Sequence, residues 1–410
     1  MITISQARTI EGELTTLEIP SQVTETLDAT GLTVFPGLID PHVHFRIPGQ
    51  AYKEDWITGA QASLRGGYTT VLDMPNNVPA CITPARLADK ISQIESQLKT
   101  AGIPLHYGLY FGADRHHFQH LHEVRDQVVG VKVFMGSSTG DLLMDDESSL
   151  HAIFALCAKL NLLVAVHAED ECEIQAQRAH FAGTTDVSCH SKIRSPKAAE
   201  KAVKFAIDLV RLYGTRLYIL HVSTQGELAQ IQKAKQEGLP VFAEVCPHHL
   251  FLSEADYATL GTRGQMNPPL RTLEDQAALF QAIAAGVIDT IGSDHAPHTM
   301  AEKDLPYGQA PSGVPGIETT LPLLLTAYHQ GKITLANIIR LTHSGPRALF
   351  QLPHYPDVVL VDLPAERTVH AEHLKTKCGW SPFTGKVLKG WPEYVILDKI
   401  YPVGHGRQSA

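Results

Sequence analysis

The chain has 410 residues, 44% hydrophobic and 19% charged, enough for one large domain with a smaller one beside it and too apolar for dominant disorder. A net charge of −9 argues against a nucleic-acid or anionic-membrane binder, although a few local cations can still hold an anionic small molecule. The N-terminus lacks a basic region followed by an apolar core, no apolar run reaches the roughly 18 residues of a membrane span, and the six cysteines form no CxxC pair, so a cytoplasmic protein with reduced thiols is expected.

In chain order, residues 1–36 show the short, turn-punctuated alternation of antiparallel strands, as in TISQARTI and TTLEIP. From about residue 33 to residue 300, β-branched runs alternate with helical patterns. Eight runs read as strands: LTVFPGLIDPHVHF, TTVLDMP, LHYGLYFG, VGVKVFM, LLVAVHA, LYILHVS, PVFAEVC and DTIGSDHA. Each is nearly continuous in apolar residues, as parallel strands buried on both faces require. Between them, stretches such as TPARLADKISQIESQLKTAG and SPKAAEKAVKFAIDLVRLYG start on a capping Ser or Thr and stop on Gly. The pattern predicts a TIM-type (β/α)8 barrel over residues 37–351. Strand alternation returns in residues 352–410, in DVVLVDL, ERTVHAE and EYVILDKIYPV, and with residues 1–36 predicts a small β-sandwich assembled from both termini.

Five of the predicted strand ends finish on residues able to hold a metal: His42 and His44, Lys132, His167, His221, and Asp294. His42 and His44 are two apart on a strand and point to one face. Imidazoles converging from several strands are hard to rationalise without a metal, and Asp294, flanked by the small Gly292 and Ser293, completes the set. Lys132 is the odd member, since an ammonium repels a cation. Either it is a lysine paired with an acid, with Asp170 and Asp141 as candidates, or a buried neutral amine that takes up carbon dioxide to become an anionic bridging carbamate.

Arg46, Asn76, Asn267 and His298 all fall at predicted strand ends or the loops after them, the face where barrel enzymes work. An arginine beside a dimetal centre suggests a substrate carboxylate gripped in bidentate fashion; the alternative is a pair with Glu54 or Asp55. His248 and His249 read as structural, as do His116, His117, His120 and His122, and His295 fits either role. The run YGQAPSGVPGIE has the wrong spacing for a phosphate loop and reads as a mobile loop, residues 305–316, over the barrel mouth.

The set HVHFR, MPNN, VKVFMGSSTG, VHAED, LHVST, MNPPLR and SDHAPHT resembles the dihydroorotases of the cyclic amidohydrolase superfamily over about residues 33–350, with an echo in SPFTGKVLKGWP. The resemblance implies that His42, His44, Lys132, His167, His221 and Asp294 ligate two zinc ions, with carboxylated Lys132 as the bridge. It further implies substrate contacts from Arg46, Asn76, Asn267 and His298, and main-chain contacts from Ser312 and Gly313 to a pyrimidine ring. One branch of the family bridges its metals with aspartate instead, and MNPPLR and PSGVPGIETTLPLLLT resemble that branch while Lys132 belongs to the other.

The activity implied is reversible cyclisation of N-carbamoyl-L-aspartate to dihydroorotate in pyrimidine synthesis, with a bridging hydroxide as nucleophile and Asp294 as general acid and base. A homodimer is the expected assembly, and association with aspartate carbamoyltransferase is left open. Two rivals remain: a hydantoinase, dihydropyrimidinase or allantoinase, whose substrates lack the ring carboxylate and have no need of Arg46 with Asn76, and an inactive scaffold subunit, which would lack metal ligands.

Overall fold

The computed structural model describes residues 1–137 and 142–404. At the N-terminus, β1 (Ile2–Arg8), β2 (Leu14–Ile19), β3 (Glu25–Asp28) and β4 (Thr33–Pro36) belong to a curled sheet outside the barrel. The predicted first run divides at Gly37, where an added Cβ would meet the Thr69 side chain at 2.3 Å. Beyond it, β5 (Leu38–Val43) opens the barrel, followed by β6 (Tyr68–Asp73), β7 (His106–Gly112), β8 (Gly130–Phe134), β9 (Val164–His167), β10 (Leu217–Ile219), β11 (Val241–Val245) and β12 (Thr290–Ile291).

These eight strands pair in sequence order, every ladder parallel. Strands β5, β6, β8 and β9 are buried at every residue, which accounts for their largely apolar character. The ring closes thinly, by a parallel bridge between Val43 and His295 with the His44 N–H donating to the His295 carbonyl at 2.9 Å.

Helix boundaries follow local chemistry. Thr83, Asp146, Ser195 and Thr272 each accept a backbone N–H at the start of the helices 84–101, 147–160, 196–213 and 273–284. Gly102, Asn161 and Gly214 end the first three in the left-handed conformation. In the helix 196–213, Ala198, Ala202, Val203, Ala206, Leu209 and Val210 form the buried stripe facing the strands.

At the other end of the chain come β13 (Val358–Thr368), β14 (Val387–Ile396) and β15 (Ile400–Pro402). The outer sheet runs β15-β14-β13-β4-β1-β2, with β3 on β1, so the two termini meet where β13 pairs antiparallel with β4. Ile2, Ile4, Leu32, Leu360 and Ile396 fill its interior. The segments DVVLVDL and ERT form one bulged strand, β13, rather than two, and VLKGWP supplies the first half of β14. Trp380, Phe383 and Trp391 pack against Met266, Leu270 and Val314, carrying the C-terminal segment behind the loop 305–316.

Candidate metal centre

All six residues expected as ligands line one cavity at the C-terminal rim of the barrel, together with Arg46, Asn76, Asn267, Ser312 and Gly313. His42 lies within β5, Lys132 within β8 and His167 at the last position of β9, while His44, His221 and Asp294 follow the ends of β5, β10 and β12. Arg46, His221 and Asp294 hold φ of 62°, 40° and 44°. Three non-glycine residues in the left-handed region around one cavity indicate that the surrounding packing fixes an unfavourable backbone to aim these side chains.

The hydrogen bonds define which ring nitrogens remain available. His42 Nδ1–H donates to Glu244 Oε1 at 2.8 Å, and His44 Nδ1–H donates to Asn76 Oδ1 at 2.7 Å. Both Nε2 lone pairs then face the same carboxylate oxygen, Asp294 Oδ1, at 3.2 Å each. Across the cavity, His167 Nε2–H donates to Glu169 Oε2 at 2.8 Å, leaving Nδ1 turned toward His221 Nε2 at 3.0 Å. Two imidazole lone pairs facing one carboxylate oxygen repel unless a cation lies among them, and a third ring offers its Nδ1 across the same cavity, so the donor set fits a metal centre. Supports of this kind are what a metal-ligating histidine uses to fix its tautomer.

Burial reinforces the assignment. It pushes His44 down to about 3 against the opposing pull of Asp294, and lowers His167 and His221 as well, holding the rings in the neutral form a ligand needs. Burial works to raise Asp294, but His42, His44 and His221 hold it well below the usual carboxylate range. Burial also lowers Lys132 to about 8, with Asp294 and Glu244 opposing. The amine sits 4.7 Å over the Phe134 ring. Of its two candidate acid partners, Asp170 caps the helix 171–180 and pairs with Lys201 at 3.0 Å, and Asp141 lies outside the described residues.

Arg46 is buried, its Nε donating to the Pro297 carbonyl at 3.2 Å. Neither acid considered as a partner engages it: Glu54 accepts from Thr58, Thr376 and His295, and Asp55 caps the helix 56–65. Burial draws the guanidinium down to about 10, with Asp294 and Asp73 opposing. His298 stands apart from the other expected residues, outside the cavity wall and behind Arg46, with its Nε2 3.3 Å from Arg46 Nη2. Asn267 Oδ1 accepts from His190 Nε2 at 2.9 Å. Ser312 and Gly313 are held in the wall by Gln265, which donates to Ser312 Oγ and accepts the Gly313 N–H, both at 3.0 Å. His295 bonds Glu54 and the Gly316 N–H, a barrel-closing role.

Of the residues that support the rings, the sequence points to Asn76, as a substrate contact, and not to Glu244, Glu169 or Arg194. Glu244 is a carboxylate inside the apolar strand VFAEV, an anomaly that does signal a buried partner. Glu169 lies two residues after His167, and Arg194, which ion-pairs with it, comes from a distant turn. Arg194 and His167 keep Glu169 well below the usual carboxylate range although burial opposes them.

The model of the family described as "Amidohydrolase family" matches residues 33–355. The chain belongs to the amidohydrolase family. It is 36% identical over 388 residues to a dihydroorotase of Methanosarcina mazei, covering 90% of this chain and 83% of that one, which puts this amidohydrolase in the dihydroorotase branch. A multifunctional protein CAD of Squalus acanthias is 34% identical over 394 residues, 93% of this chain and 16% of that protein. Among solved structures, an L-hydantoinase (dihydropyrimidinase) from Arthrobacter aurescens superimposes with a TM-score of 0.89 at 26% identity, covering 97% of this chain and 94% of that one. The amidohydrolase is therefore a cyclic amidohydrolase enzyme on a barrel shared with hydantoinases. No helix among the described residues is long and apolar enough to cross a membrane.

Proposed function

We propose that this amidohydrolase interconverts N-carbamoyl-L-aspartate and (S)-dihydroorotate, the ring-closing step of pyrimidine (UMP) synthesis. The observation that carries this reading is Arg46, a buried guanidinium in the same cavity wall as six candidate ligands and Asn76. A fixed cation beside a metal centre calls for an anion between them, and a ring carboxylate is the group that separates dihydroorotate from hydantoins and dihydrouracil.

His42, His44, His167, His221 and Asp294, with Lys132 as a carboxylated bridge, would hold two zinc ions. Such a centre would supply Lewis acidity toward the amide carbonyl and lower the pKa of water to about 7. Asp294, placed against both His42 and His44, takes the proton released in hydrolysis and passes it to the leaving ring nitrogen. Arg46 and Asn76 hold the carboxylate, and the main chain at Ser312 and Gly313 with Asn267 orients the ring. Cyclisation consumes a proton, so lower pH favours the ring. The chain works as a homodimer in this reading, and the multifunctional relative motivates a test for association with a carbamoyltransferase.

The test is an ultraviolet assay of dihydroorotate loss on metal-quantified protein, with hydantoin, dihydrouracil and allantoin in parallel. Turnover of dihydroorotate alone, with about two metals per chain, is expected. Turnover of an uncharged ring instead would overturn the role given to Arg46, and no turnover with metal bound would point to a scaffold.

A further inference from the structure

Behind the cavity wall, a second cation reaches His298. Lys53 is buried, and its Nζ lies 3.0 Å from His298 Nδ1 and 2.9 Å from Glu302 Oε1. Glu302 is itself fixed, its other oxygen accepting from the Thr299 N–H and hydroxyl at 2.9 Å each. The far side of the His298 ring presents Nε2 to the Ser312 carbonyl at 3.1 Å and to Arg46 Nη2 at 3.3 Å. Trp380 Nε1–H donates to the His298 carbonyl at 2.8 Å, fixing the backbone from the outside.

The chemistry of these contacts leaves one arrangement of protons. An ammonium has only protons to offer, so His298 Nδ1 must be the acceptor toward Lys53. The neutral ring then carries its proton on Nε2, and that N–H has an acceptor in the Ser312 carbonyl. Arg46 Nη2 consequently faces an N–H and finds no lone pair on the ring. We propose that Lys53 is a positioning residue for substrate-carboxylate recognition: it locks His298 in the Nε2–H tautomer, which holds Ser312 in the cavity wall and denies Arg46 Nη2 an acceptor on the ring.

Removing Lys53 would release the lock. With the proton on Nδ1, the Nε2 lone pair would accept from Arg46 and give up the Ser312 carbonyl. One change would thereby draw the guanidinium toward the ring and loosen the main chain beside Gly313. Neither effect touches the metal ligands, so binding of the carboxylate should suffer more than the chemical step.

This inference rests on the dihydroorotate reading above, and the experiment separates the two. Wild type, Lys53→Met and Lys53→Arg are compared for kcat and KM on dihydroorotate and on its methyl ester, in which the carboxylate is masked. Lys53→Met should raise KM for dihydroorotate by about ten- to a hundredfold, leave kcat within a few-fold and hardly change the ester, while Lys53→Arg, which keeps a donor, recovers part of the loss. Histidine 15N spectra of the same proteins, with His298→Asn identifying the signal, should show the Nε2–H tautomer in wild type and its loss in Lys53→Met. An unchanged tautomer in Lys53→Met, or equal loss on acid and ester, would overturn the proposal. Failure of wild type to turn over dihydroorotate would defeat the functional reading, whereas the 15N result would still decide whether the lock exists.

Discussion

Glu244 supports two candidate ligands at once: its Oε1 accepts from His42 Nδ1–H at 2.8 Å and from the His221 backbone N–H at 3.1 Å. Its other oxygen accepts from the Tyr218 hydroxyl at 2.6 Å and lies where a Cβ on residue 292 would come within 2.2 Å, which is why Gly292 stands there. A single carboxylate thus sets the ring of one ligand and the backbone of another. Glu244→Gln keeps the shape but removes the charge and should weaken metal binding by about 10- to 100-fold. Competition against a chelator measures it, and wild-type metal affinity in the variant would refute the assignment.

Asp294 meets both His42 and His44 through one oxygen at 3.2 Å, and the histidines around it keep it ionised far into acid. A group held so firmly as carboxylate stays an acceptor rather than a proton store, so the proton-transfer role proposed for it is tested on metal-loaded protein. Asp294→Asn retains an oxygen donor but cannot carry a proton. Its kcat should fall by about a hundred- to ten-thousandfold in both directions, with metal content measured alongside. Loss of metal in proportion to activity would reassign Asp294 as a ligand alone.

The sequence carried the barrel because its parallel strands are apolar on both faces and its helices announce their caps, as Thr83 and Ser195 do. It carried the candidate cavity because ligands at strand ends fall on one rim by topology. It did not carry the order of depth. His298 and Asn76 read alike, as polar residues after strands, yet Asn76 lines the cavity and supports His44 whereas His298 lies behind Arg46. Lys53, Glu169 and Arg194 were invisible for the same reason: a buried ion pair between distant loops leaves no period in the chain. The split between β4 and β5 depends on the close approach of Gly37 to Thr69, which is tertiary information.

Lys132 makes a prediction about pH in protein stripped of metal and bicarbonate. Burial lowers its folded pKa from 10.5 to about 8. Below pH 8 the folded state must hold a buried charge, and the penalty is present in full. Between pH 8 and 10.5 the unfolded chain binds more protons than the folded one, so stability rises and the penalty disappears. Lys132→Met lacks this titration while sharing every other group. Urea unfolding at pH 7 and pH 10 should show wild type gaining on Lys132→Met as pH rises. A constant difference would mean that the amine is not held in a charge-excluding site.

Lys90 and Asp73 form a buried ion pair at 2.6 Å beneath the loop that carries Asn76. Asp73 also accepts the Phe45 N–H at 2.8 Å, between His44 and Arg46, and Lys90 donates to the Met74 carbonyl and Asn77 Oδ1 at 2.8 Å each. The pair therefore joins the two loops that present His44, Arg46 and Asn76. Lys90→Met leaves the Asp73 charge buried without its partner and should destabilise the fold by about 3–5 kcal/mol. The double variant Lys90→Met with Asp73→Leu removes the orphaned charge and should recover much of that stability, but not the Phe45 and Asn77 contacts. Its melting temperature should approach wild type while KM stays raised, because the loops lose their tie. Full recovery of both would show that the pair serves stability alone.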